Sequence, residues 1–149
     1  MRREIAEGLA GLDISDADRA TIRAAVPLLE RIMGEVGEDF RAHVRAGAGD
    51  TSTGRKIAAL SEQLTDHWMQ LLADGVDDAY ARRITRLGIT HRERGLSPKI
   101  YIRSYGWLAA RLTAEVVRHR GVTPDLCAEL VAAVLKVLFF DLDRKSTRL

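Results

Sequence analysis

From Leu130 to Leu142 the chain is apolar at every position except Lys136 and Asp141. Thr123-Pro124-Asp125 just upstream reads as a helix start, and the helix is expected to run from there to about Arg144. A helix that is apolar on nearly every side has to be covered on more than one face. It therefore predicts a domain core around it and a second subunit against it. The rest of the chain suits an all-helical setting, because Val/Ile/Thr alternation is missing and only 3 prolines occur.

The remaining helices follow from stripes and punctuation. A short helix is expected over Arg3 to Leu12. Ser15 with Asp18 is an N-cap signature for a long segment reaching Ala46, with Ile22, Val26, Leu29, Met33, Val36 and Phe40 as its inward stripe. Pro27, Gly34 and Gly37 are expected to bend or split it. Residues 47–54, rich in Gly, Ser, Thr and Asp, read as a loop. A helix from Arg55 to Ala73 then carries Ile57, Leu60, Leu64 and Leu71 on one face. Gly75 ends it, and Asp77-Asp78 start the helix that holds His91, which closes on Gly95. Ser97 and Pro98 open the next, to about His119. The domain expectation is a single unit over 1–149, with 1–14 an extension, 15–143 the core and 144–149 a tail or the start of a linker.

At 149 residues the chain is long enough to bury a core and a flat cofactor of medium size. Charge is balanced, 23 basic against 21 acidic residues, which does not point to nucleic acid. A single cysteine, Cys127, excludes an internal disulfide and a cysteine-rich metal site. No run approaches the roughly 18 apolar residues of a membrane span, and the N-terminus lacks a signal-peptide core. The expectation is a cytoplasmic chain with no membrane contact. GxGxxG, P-loop, GxSxG, HExxH and CxxC motifs are all missing. The adjacent carboxylates Asp77-Asp78 and Glu38-Asp39 would point about 100° apart on a helix, so they make poor acid/base pairs. No catalytic residue is expected.

Four histidines remain: His43, His67, His91 and His119. His119 follows Arg118 in the last turn of a helix, where a cation suits the dipole. Ile84, Leu87 and Gly88 precede His91 at helical spacing, which puts its imidazole on the apolar face beside a residue without a side chain. A lone inward histidine is more often a satisfied core residue than a ligand, and the spacing by itself leaves both open.

The segment Tyr80-Ala-Arg-Arg-Ile-Thr-Arg-Leu-Gly-Ile-Thr-His91, followed by Arg-Glu-Arg-Gly95-Leu-Ser-Pro98-Lys-Ile-Tyr101, resembles the proximal region of globin-coupled sensors. These are the haem domains of bacterial aerotaxis transducers and diguanylate cyclases. The resemblance extends from about Asp16 to Asp143 and includes Tyr105-Gly-Trp-Leu and Phe139-Phe140-Asp-Leu-Asp. It implies an all-α globin fold with an extra N-terminal helix and a long C-terminal helix pair for dimerisation. It also implies haem b, with His91 as the proximal iron ligand. Ile84, Leu87 and Leu96 would lie below the ring, Leu60 and Leu64 above it, and Phe40 and Tyr101 beside it.

Arg82, Arg83, Arg86, Arg92, Arg94, Lys99 and Arg103 surround His91 and offer donors to propionates, although a solvated face is the commoner fate of such residues. Many family members carry Phe-Tyr on the second helix, the tyrosine donating to bound gas. Here the pair is Phe40-Arg41, which removes that donor. Arg41 is expected to reach solvent, with a lesser claim on a propionate or the ligand. Gln63 and His67 are the other distal candidates, His67 as a sixth ligand if its helix shifts. A solvated Gln63 and a packed His67 are the plainer readings, and His43 has a weaker claim of the same kind.

What the resemblance implies is a sensor that binds oxygen, carbon monoxide or nitric oxide, oxygen first. Its helix rearrangement in a homodimer would signal to a covalently linked output domain outside this chain. The alternatives are a single-domain haem globin detoxifying nitric oxide or oxygen, or doing peroxidase-like chemistry, and a haem-free globin-like stress-sensor bundle.

Overall fold

In the computed structural model the described residues are 3–48, 51–93, 98–119 and 121–148, with the side chains of 48, 53, 87–93, 98 and 145–148 standing outside that description. Among the described residues there are seven helices and no strand: α1 (Arg3–Gly11), α2 (Asp16–Ala24), α3 (Val26–Ala48), α4 (Ser52–Asp74), α5 (Asp78–Glu93), α6 (Pro98–Arg118) and α7 (Pro124–Arg148).

The long segment expected from Ser15 is two helices, and the break falls at Ala25. Pro27 has no N–H to give the Arg23 carbonyl, and the Ala25 N–H turns back onto Ile22 O at 3.0 Å. Of the three residues expected to bend or split the segment, Pro27 divides it, while α3 runs through Gly34 and Gly37 without a second split. Gly37 serves a crossing instead: a Cβ there would sit 3.5 Å from Thr65 Cγ2 on α4. The expected 47–54 loop is also shorter. α3 continues to Ala48, and Thr51 caps α4 by accepting the Gly54 N–H at 2.9 Å. Gly75 ends α4 at φ 75°, a conformation cheap only for glycine. Gly95 and Ser97 lie outside the described residues, and α7 reaches Arg148 rather than Arg144.

Ser15 and Asp18 form a reciprocal capping box, with Asp18 N–H to Ser15 Oγ at 3.1 Å and Ser15 N–H to Asp18 Oδ2 at 3.0 Å. The Ser15 amide, helped by Lys136 Nζ at 3.1 Å, holds the Asp18 carboxyl below its ordinary range. Lys136 also donates to Asp13 O at 3.0 Å. One of the two polar interruptions of α7 therefore fastens the α1–α2 elbow.

α3 crosses α4 and α6, while α7 lies against α6, α2, α5 and α1. Leu130, Ala133, Val134, Val137, Leu138 and Phe140 of α7 are buried, but Phe139 is 55% exposed. The N-terminal helix joins the core through Ile5 and Leu9. At Gly8 an added Cβ would stand 2.8 Å from Phe140 Cε2, and that ring is fully buried. Gly8→Ala is therefore expected to destabilise by about 1–3 kcal/mol through overpacking, outweighing a helix-propensity gain of about 1 kcal/mol. Urea denaturation checks this; a midpoint at or above wild type would mean α1 does not seat on Phe140.

Candidate functional site

Leu60 and Leu64, one turn apart on α4, are both buried. Phe40 from α3, Ile84 from α5 and Tyr101 from α6 are buried in the same continuous apolar cluster. Five of the expected lining residues are thus buried in the one core, from four helices. The side chain of Leu87 and all of Leu96 lie outside the described residues. His91 sits on α5 by its backbone, and its imidazole is likewise outside the description.

α4 is backed by α3 and α5 by α7, and among the described residues α4 and α5 share no extensive packing with each other. Their side chains meet where the His67 and Tyr80 rings lie 6.0 Å apart. Apolar rows on helices that are backed elsewhere fit a flat apolar macrocycle between them. A histidine on α5 is the ligand type its iron takes. The residues present therefore fit haem.

The expected distal residues are each placed differently. Arg41 does not reach out to solvent: it is half-buried and donates from Nη1 to Thr65 Oγ1 at 3.0 Å, bridging the α3–α4 crossing beside Gly37. Gln63 is exposed. His67 is 3% exposed and has its Nε2 2.9 Å from Asp141 Oδ1 on α7. His43 is exposed and stacks on Trp107, ring centroids 5.6 Å apart. His119 accepts from Arg31 Nη2 at 2.9 Å. Of the seven cations, Arg82, Arg86, Lys99 and Arg103 are exposed, Arg83 lies over the Tyr80 ring, and Arg92 and Arg94 have no described side chain.

A polar centre behind the apolar cluster was not foreseen. Asp141 of α7 is 0% exposed, and its carboxylate accepts from Tyr80 Oη at 2.6 Å, from His67 Nε2 and from Tyr105 Oη. Burial, then the Asp141 charge, pushes both phenols well above their ordinary values, so both stay protonated and donate. Trp68 packs edge-on to Tyr105 at 5.4 Å and to Phe40 at 5.1 Å, connecting this centre to the pocket lining. The available signal was Asp141 itself, an acid alone in an apolar helix, which in a core demands donors.

The protoglobin family model matches residues 1–146. Among solved structures, the globin domain of the Geobacter sulfurreducens globin-coupled sensor is similar with a TM-score of 0.79 and 17% identity, over 96% of this chain and 95% of that one. A search of the curated proteins gives no match. The helix order agrees with the globin fold expected from the segment around His91, and the family model spans nearly the whole sequence: this chain belongs to the protoglobin family and is an all-α globin.

Proposed function

We propose that this chain is a haem-binding gas-sensor domain, holding haem b between α4 and α5 with His91 as the proximal ligand. The observation that carries the reading is the burial of Phe40, Leu60, Leu64, Ile84 and Tyr101, from α3, α4, α5 and α6, in one apolar core, with His91 on the same helix as Ile84. Membership of a globin family supports it. Bound ferrous haem supplies reversible binding of a diatomic gas. The chain's own part is to exclude water with the apolar lining, to which the resemblance adds Leu87 and Leu96, and to orient the imidazole. Oxygen is the first candidate gas. Arg41 is engaged by Thr65 and His67 by Asp141, so neither is placed to polarise bound oxygen, and carbon monoxide and nitric oxide need such a donor less.

The domain binds rather than turns over. Exposed Phe139 on α7 is the proposed contact with a second copy. Residues 15–143 form the sensing core, 1–14 an extension, and 144–149 lead toward an output domain. Reconstitution with haem, followed by absorption and resonance Raman spectra of the ferric, ferrous and carbon-monoxide forms, tests this. One haem per chain and a five-coordinate ferrous histidine complex are expected. No stoichiometric uptake would end the proposal, and a bis-histidine ferrous spectrum would contradict the placing of His67 on Asp141.

A further inference from the structure

Apolar packing lets helices slide, because it has no preferred direction. A hydrogen bond does not, because it weakens steeply with distance and angle. In this fold three helices each place one donor on a single buried carboxylate of a fourth. His67 of α4 and Tyr80 of α5 share Asp141 Oδ1, and Tyr105 of α6 takes Oδ2. Tyr80 is held on α7 by its ring as well, with the Phe140 centroid 5.9 Å away. The turn of α7 that carries Asp141 also carries Phe139, which faces outward.

We infer that the Asp141 carboxylate is the joint through which α4, α5 and α6 move with α7. A shift of α5 that stretches the Tyr80 bond changes Oδ1, which His67 shares, and loads the Tyr105 bond on the other oxygen. Asp141 acts through the three donors it holds, as a positioning residue. That the shift originates in gas binding rests on the haem reading above; the joint itself does not.

Hydrogen–deuterium exchange on the purified full chain tests the joint in two arms. Without added gas, Tyr105→Phe on α6 is expected to speed amide exchange around Tyr80 on α5 by roughly fivefold or more, and to add nothing in an Asp141→Asn background. An effect confined to α6, or one that persists in Asp141→Asn, overturns the proposal. In the haem-loaded chain, carbon monoxide is expected to change exchange over 130–144. Asp141→Asn is expected to cut that change to less than about twofold while the Soret band still reports bound carbon monoxide. An undiminished response in the variant overturns the joint, as does a silent α7 in wild type whose Soret band has shifted. If no Soret band forms, the haem reading fails and the first arm alone decides. Should Asp141→Asn not fold, Tyr80→Phe removes one donor, keeps the carboxylate, and replaces it in both arms, with α4 around His67 as the site read in the first.

Discussion

His91→Ala is expected to take up haem at least about 100-fold more weakly than wild type, since losing even an outer partner of a metal ligand costs about 10–100-fold. The apolar lining from Phe40, Leu60, Leu64, Ile84 and Tyr101 remains in the variant, so weak hydrophobic uptake should survive. What disappears is the five-coordinate ferrous histidine spectrum. Free imidazole supplies the ring that the truncation removes and should restore that spectrum, an outcome that loss of folding would not allow. A haemin titration followed at the Soret band, with and without imidazole, gives the answer. Unchanged affinity and an unchanged ferrous spectrum would exclude His91 as the ligand. His67→Ala is the contrasting variant, and its effect is expected on stability, because its Nε2 is engaged by Asp141.

The second large effect is expected at Asp141 itself. Asp141→Ala leaves two phenols and one imidazole N–H buried without their acceptor. Each unsatisfied buried donor costs about 1–3 kcal/mol, and partial relaxation brings the sum to about 3–5 kcal/mol. A domain of this length loses roughly 2–4 °C of melting temperature per kcal/mol, so the midpoint should fall by roughly 10 °C. Thermal denaturation by circular dichroism measures it, and a fall of less than about 2 °C would mean the three donors are not held by this carboxylate. Alkaline pH probes the same centre. The Tyr80 and Tyr105 phenols have raised pKa values in the fold, so their contribution is fully present below the ordinary phenol value of about 10 and is lost as pH rises beyond it. Tyr105→Phe should flatten that alkaline loss.

The helices were legible because their signals are local. The Ser15–Asp18 box, Gly75 and Pro98 mark ends within one turn of themselves, and the Leu60–Leu64 row needs only a period. The break at Ala25 is signalled by Pro27 and not by the apolar stripe, which passes across it from Ile22 to Leu29. It depends on one absent N–H, which periodicity does not register. The 47–54 stretch was read as loop from composition, whereas Thr51 makes a helix cap of part of it. The burial of Phe40, Leu60, Leu64, Ile84 and Tyr101 was legible for the same reason as the helices. The Asp141 centre was not, because its donors stand 74, 61 and 36 residues away on three different helices. No spacing rule brings them together before the chain is folded. Arg41 was misjudged for a related reason, its partner Thr65 being 24 residues off across the α3–α4 crossing.

Lys136 and Asp141 stand five positions apart on α7, roughly 140° around the helix, and they fasten opposite neighbours. Lys136 grips the elbow below α2, and Asp141 grips α4, α5 and α6. A smooth apolar cylinder can roll about its long axis at little cost, but a cylinder pinned at two angles keeps one rotational register. The compass bearing of Phe139 is thereby set from inside the domain. The outward residues of α7 can then change to suit a new partner without altering which way the helix faces.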